Sequence, residues 1–231
     1  MPVLLLRPGM SPAFPADPLS MRPEDSGLVA LGGALERQTL LEAYRKGIFP
    51  WEGSDPIPWF SPDPRAILVP RAFRSSRSVR RLGRREGIRV SFDEDFDAVI
   101  RACASVSREG QPGTWITPAL RASYLDLHRH GVAHSVEVWR DEELVGGLYG
   151  LAMGRAFFGE SMFHRVDDAS KLALWELCQR LHGAGYRFID CQQDTSHLRS
   201  LGSVVVPRLR YLRLLEEALA HEDRWPLVMQ R

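Results

Sequence analysis

Residues 134–192 read HSVEVWRDEELVGGLYGLAMGRAFFGESMFHRVDDASKLALWELCQRLHGAGYRFIDCQ. The first half alternates apolar and polar residues with period two, which predicts antiparallel strands over 134–140, 143–153 and 155–162, joined by turns at Asp141-Glu142 and Gly154-Arg155. The pattern then changes. Leu172, Trp175, Leu177 and Leu181 recur at helical spacing and predict a helix over 168–182, and after Gly183-Ala-Gly185 a strand follows at 186–191. C-terminal to this stretch we read a short helix (196–201), a strand (203–206) and a helix (208–220). N-terminal to it we read a strand at 66–69, a basic helix, a strand at 88–92 and helices at 94–104 and 118–130.

A meander, a crossing helix, a strand and another helix is the order of a GNAT-type acyltransferase core. Upstream, Leu40, Leu41 and Tyr44 mark a helix over 36–46 stopped by Gly47. Phe49-Pro50-Trp51 and Ile57-Pro-Trp-Phe-Ser-Pro-Asp-Pro64 are too proline-dense for a helix or a central strand, and are expected to form a rigid aromatic loop and a domain junction. Residues 1–26 read as an extended arm. The expected class is α+β: a small N-terminal domain (1–62) plus a GNAT-like C-terminal domain (63–231) with a mostly antiparallel sheet.

The chain has 231 residues, 44% hydrophobic and 26% charged, which excludes collagen, coiled coil and wholesale disorder. Cys103, Cys178 and Cys191 lack metal-site spacing, so a reduced, cytosolic, metal-free protein is expected. The apolar run before Arg7 is too short for a signal-peptide core, and no stretch approaches a membrane span. The formal charge of +1 conceals a division, because residues 71–89 hold eight arginines and one acid, a net of +7 that leaves −6 elsewhere. Arg77, Arg80, Arg81, Arg84 and Arg85 fall at i, i+3, i+4, i+7 and i+8. A helix capped by Ser75-Ser76 would make them one stripe suited to a phosphate backbone, or else merely a solvated face.

Acyltransferases of this fold usually hold coenzyme A with a glycine loop before the crossing helix. Here that place is Phe163-His-Arg-Val-Asp-Asp-Ala-Ser170, with no glycine and with two acids that would repel a pyrophosphate, so the acyl donor is expected to be something else. Glu160 and Asp190 lie on strand ends facing the middle of such a fold. Alternation puts Asp190 and Gln192 on one face, able to bond an incoming amine, with Cys191 opposite as a structural residue. The alternative is an Asp that caps the 195–201 turn beside a solvent-facing Gln. None of the seven histidines has an evident nucleophile partner. Trp51, Trp59, Trp115, Phe157 and Phe158 are either core or pocket.

Gly27-Leu-Val-Ala-Leu-Gly-Gly33, Tyr44-Arg-Lys-Gly-Ile-Phe-Pro-Trp51, Trp59-Phe-Ser-Pro-Asp-Pro-Arg65, Gly113-Thr-Trp-Ile116, His134-Ser-Val-Glu137, Gly146-Gly-Leu-Tyr-Gly150, Phe158-Gly-Glu-Ser-Met-Phe163, Ala169-Ser-Lys171 and Ile189-Asp-Cys-Gln192 together resemble the leucyl/phenylalanyl-tRNA protein transferase family, from about Phe14 to Leu212. The resemblance implies transfer of Leu or Phe, less often Met, from aminoacyl-tRNA to the α-amine of proteins beginning with Arg or Lys, marking them for degradation in bacterial cytosol without metal or organic cofactor. It implies a donor pocket at Trp51, Trp115, Leu148 and Phe157, acceptor binding by Glu160, and a catalytic pair in which Asp190 polarises Gln192. The arginines would hold tRNA backbone. Three departures, Ala34 for Asp, Leu148 for Met and His164 for Ser, bear on substrate contacts, and the tail after Ala220 does not match. Nothing suggests an obligate oligomer, so a monomer is expected. A coenzyme A dependent N-acetyltransferase and a non-catalytic RNA-binding module are the competing readings.

Overall fold

The computed structural model describes residues 3–7, 14, 27–51, 53–106, 114–222 and 225. Most of the expected N-terminal arm and of the tail after Ala220 lies outside the described residues. Two sheets organise the chain. The first has four strands, β1 (Leu4–Leu6), β2 (Leu28–Gly32), β3 (Phe49–Pro50) and β4 (Pro58–Phe60), in the order β1-β2-β4-β3. Helix α1 (Arg37–Arg45) crosses between β2 and β3 and ends at Gly47, whose φ of +69° and close approach to Tyr211 both require glycine.

The proline-dense segments were expected to be loop, and here the expectation fails. Phe49-Pro50 is an edge strand and Pro58-Trp59-Phe60 an interior one. Proline is tolerated because Pro58 opens its strand and acts through its carbonyl, which accepts from Trp51 N at 3.3 Å.

The second sheet contains β5 (Arg65–Leu68), β6 (Ile88–Phe92), β7 (Ala133–Arg140), β8 (Glu143–Met153), β9 (Ala156–His164), β10 (Phe188–Gln192) and β11 (Val204–Val206), in the order β11-β5-β10-β9-β8-β7-β6. Every pair is antiparallel except β9 with β10. The meander β7-β8-β9, the crossing helix α5 (Ala169–Gly183) and a parallel return strand are the GNAT-like order expected, in an α+β chain.

β8 is buried from Leu144 to Met153 because helices cover both sheet faces. Leu172, Leu177 and Leu181 of α5 pack with Val136, Leu148 and Phe157 on one side. Helices α3 (Phe96–Ser105), α4 (Pro118–Arg129) and α7 (Arg208–Leu219) contribute Val99, Tyr124 and Tyr211 to the other core, which continues through Tyr44 and Trp59 into the smaller sheet. One core thus spans both sheets.

The basic helix is shorter than expected. Ser76 caps α2 (Arg77–Leu82) by accepting from Val79 N at 3.2 Å, and Gly83 ends it. Arg77, Arg80 and Arg81 lie on the helix, whereas Arg84 and Arg85 lie in the turn beyond it; all five are exposed. The cluster therefore holds together as a charged surface and not as a continuous helical stripe. A short helix α6 (Ser196–Ser200) follows β10. Among the described residues no helix is long and apolar enough to cross a membrane.

Candidate active site

The site lies where β9 and β10 part. Their parallel register runs Phe188↔Ala156, Ile189↔Phe157 and Asp190↔Phe158 and ends there. Just beyond this point each strand carries an irregularity against its other neighbour. On β9, Tyr149 faces Ser161 and Gly150 faces Gly159, which leaves Glu160 as the extra residue; on β10, Asp190 faces Ile67 and Gln192 faces Ala66, which leaves Cys191 extra. Bulges re-aim side chains, and these two aim Glu160 and Gln192 into the gap.

Asp190, Cys191 and Gln192 accordingly do not alternate as expected. Cys191 does not point away from Gln192, since both line the same cavity, while Asp190 lies behind the cavity wall and is fully buried. Gln192 has φ of +62°, a left-handed conformation that costs a non-glycine residue about 1–3 kcal/mol. Asp190 Oδ1 holds it by accepting from Gln192 N at 2.9 Å. Asp190 therefore reaches Gln192 through the main chain, which corrects the expected polarisation of the Gln192 amide by the carboxylate.

The Asp190 carboxylate is otherwise taken up by Arg65. Arg65 Nε and Nη2 donate to it at 2.8 and 2.7 Å, and Tyr211 Oη donates at 2.8 Å. Arg65 also donates to Gly47 O at 3.2 Å, and its guanidinium lies over the rings of Phe49 and Tyr211. Burial alone would lower its pKa, but the charge of Asp190 outweighs this and raises it. The buried pair ties β5, β10, α7 and the end of α1 together. Sequence reading does not single out Arg65 as a site residue; the available signal is its place at the end of the Trp59-Phe-Ser-Pro-Asp-Pro-Arg65 motif, one arginine outside the basic cluster.

Glu160 also has partners that the sequence did not disclose. Tyr44 Oη of α1 donates to Oε1 and Tyr124 Oη of α4 to Oε2, each at 2.7 Å, and the two hydroxyls lie 2.6 Å apart. Gln192 Nε2 donates to Oε1 at 3.0 Å. Burial pushes the Glu160 pKa up to about 7, against the opposing pull of the Tyr124 and Tyr44 hydroxyls; the charge of Asp190 adds to the rise and that of Arg65 offsets it.

Glu160 and Gln192 line a cavity of about 320 Å³, whose other polar residues are Ser161, Gln193, Thr195 and His197. Its wall brings together Trp51, Trp115, Leu148 and Phe157, all expected, with Met162, Leu174, Leu177 and Ile189, which were not. The added residues come from the buried side of α5 and from β9 and β10, where an apolar residue gives no sign in sequence of facing a void rather than a core. Gly150 permits this wall, because a Cβ there would sit 2.5 Å from the Phe157 ring and 2.1 Å from Phe158 O. Beside Trp115, Gly53 N donates to Trp115 O at 3.4 Å, an approach that places a Cβ at Gly53 only 2.0 Å from Thr117 Oγ1. A largely apolar pocket of this size with a few convergent polar groups is the usual form of a small-molecule site. Among the described residues no His, Cys, Asp and Glu cluster could hold a metal ion.

Comparisons with known proteins identify the family to which the chain is similar. Residues 67–216 match the family described as leucyl/phenylalanyl-tRNA protein transferase, and residues 33–63 match the N-terminal domain of the same transferase. The leucyl/phenylalanyl-tRNA–protein transferase of Pseudomonas fluorescens (strain Pf0-1) is 53% identical over 208 residues, 89% of this chain and 91% of that one. Its counterparts in Methylococcus capsulatus and Solidesulfovibrio magneticus are 53% identical over 206 residues (89% and 87% covered) and 51% identical over 220 (94% and 88%). A solved GCN5-related N-acetyltransferase from Kribbella flavida aligns loosely, at 15% identity and TM-score 0.37 over 76% of this chain and 61% of that one, and adds nothing to the topology described above. The chain belongs to the leucyl/phenylalanyl-tRNA protein transferase family.

Proposed function

We propose that the protein transfers Leu or Phe, less often Met, from aminoacyl-tRNA to the α-amine of proteins that begin with Arg or Lys, a modification that marks them for degradation in the cytosol. One observation carries this reading: an apolar cavity flanked by Trp51 and Trp115 is also lined by a carboxylate and an amide, Glu160 and Gln192, that bond each other. Such a cavity accepts an apolar acyl side chain along its apolar wall and an amine beside Glu160 and Gln192. Full burial of a branched or aromatic side chain contributes about 1.5–3 kcal/mol, enough to disfavour small or polar donors by one or two orders of magnitude. Leu148, at the wall of the cavity, bears on the choice among Leu, Phe and Met.

The chemical demand is modest. An α-amine of pKa about 7.7–8.0 is roughly a tenth neutral at pH 7, and aminolysis of an activated ester is downhill, so positioning and exclusion of water supply most of the rate. Gln192, with its amide N–H on Glu160, leaves its carbonyl oxygen to accept from the incoming amine. Asp190 positions Gln192 through the backbone. The exposed Arg77, Arg80, Arg81, Arg84 and Arg85 would hold tRNA phosphates with little demand on sequence.

The coenzyme A reading is weaker. Asp168, itself left-handed at φ +68°, stands at the start of α5 with its carboxylate 2.7 Å from Lys171 Nζ, where a pyrophosphate would have to sit. Incubation with charged tRNA and a peptide that starts with Arg tests the proposal. We expect transfer of Leu or Phe that RNase abolishes; no transfer, or acetylation from acetyl-coenzyme A instead, would overturn it.

A further inference from the structure

The surroundings of Glu160 hold more short oxygen pairs than the tyrosines have protons. Tyr44 Oη and Tyr124 Oη lie 2.7 Å from the two carboxyl oxygens and 2.6 Å from one another, so three short contacts close a ring. Two phenols supply two protons, because burial and the Glu160 charge hold both well above the ordinary tyrosine pKa. With the carboxylate ionised, one of the three pairs has two oxygens facing each other without a hydrogen. A third proton, on the carboxyl group, completes the ring: Glu160 donates to Tyr124, Tyr124 to Tyr44, and Tyr44 back to Glu160. The cluster is thus built to accept one proton, and Glu160 presents it to the cavity beside Gln192.

We infer that Glu160, held by Tyr44 and Tyr124, takes the proton that the acceptor's α-ammonium must lose before it attacks the aminoacyl ester. This rests on the transferase reading and deepens it. In the first step an N–H bond breaks and its proton passes to the carboxylate, giving a neutral amine and a carboxylic acid. The amine lone pair then forms the C–N bond, the ester C–O bond breaks, and the second amine proton leaves with the ribose oxygen. Product release returns the Glu160 proton to solvent. The charged and titratable groups around Glu160 are Tyr44 of α1, Tyr124 of α4, Tyr149 of β8, Asp190 of β10 and Arg65 of β5, and Cys191 of β10 and His197 of α6 line the cavity that it faces. Burial at this position favours the protonated acid until pH exceeds about 7, which places its titration in the working range of an amine.

Infrared titration of the full-length free protein reads the proton directly. We expect a carboxylic acid carbonyl band that disappears with a midpoint near 7, is missing from Glu160→Gln, and shifts in Tyr124→Phe, which removes two of the three short contacts. The acid limb of the transfer rate at saturating Arg-peptide should follow the same midpoint, shift with the band in Tyr124→Phe, and in Glu160→Gln move to the amine's own pKa of about 7.7–8.0. A Glu160 already ionised at pH 5.5 overturns the inference and leaves the transferase reading standing. So does a band near 7 with a rate limb indifferent to both substitutions, which is what a purely binding role predicts. Absence of transfer at every pH would instead remove the reading on which the inference rests.

Discussion

Asp190 and Gln192 lie two apart in sequence, yet they do different physical work. Asp190 is a buried anion against a buried cation, and removing one member of such a pair leaves the other uncompensated. Asp190→Ala should therefore cost about 3–5 kcal/mol in urea unfolding, with activity lost through the fold as well as the site. Gln192→Ala, which gives up one side-chain hydrogen bond at a partly exposed position, should cost at most about 1.5 kcal/mol while slowing transfer. Equal destabilisation by the two would contradict the assignment. Glu160 adds a pH signature. Its pKa is about 7 when folded and about 4.3 when unfolded, so the folded state binds the extra proton between these values. The associated stability is fully present below about pH 4.3 and is lost as pH rises through 7, a difference on the order of 3 kcal/mol. Relative to wild type, Glu160→Gln should gain stability as pH is raised from 5 to 8, and parallel stability curves would argue against the raised value.

At the scale of elements, the site depends on two bulges and a glycine. Gly150→Ala should press on Phe157 and Phe158, cost about 1–3 kcal/mol and weaken donor binding, measurable as a lower unfolding midpoint and a higher KM for aminoacyl-tRNA. An unchanged KM would mean that the Phe157 wall does not touch the donor. The bulges also explain what the sequence could and could not reveal. The strand reading locates β7, β8 and β9, although β8 is buried on both faces and does not alternate, and helical spacing locates α1, α4, α5 and α7. An inserted residue at Glu160 or Cys191 leaves no mark in the pattern, so alternation puts Cys191 on the wrong face and Asp190 in front of its substrate. Proline density misleads at Pro50 and Pro58, where an edge position and a strand start make it harmless. The helix over the arginines extends too far in the sequence reading because arginine spacing alone does not show that Gly83 stops it. Partners distant in sequence, such as Arg65 with Asp190 or Tyr44 with Glu160, stay hidden for a related reason: they meet only through the tertiary fold.

Across the whole molecule, charge and core are divided in complementary ways. One apolar core joins the two sheets, so that Tyr44 of α1, the helix linking β2 to β3, reaches Glu160 in the second sheet. The basic charge, by contrast, is gathered on the surface around α2, and the near-zero total conceals it. Charge reversal at Arg80 and Arg84 should weaken tRNA binding and flatten its salt dependence, by about 0.7–0.9 in log–log slope for each phosphate that is no longer neutralised. An unchanged slope would place the tRNA on another surface. The most direct test of the whole account joins the surface to the cavity in one measurement: mass spectrometry of a peptide beginning with Arg after incubation with the protein and Leu-tRNA or Phe-tRNA. The account predicts addition of one Leu or Phe residue to the peptide's α-amine, abolished by RNase and greatly reduced in Gln192→Ala. A peptide of unchanged mass in the presence of intact charged tRNA would contradict it.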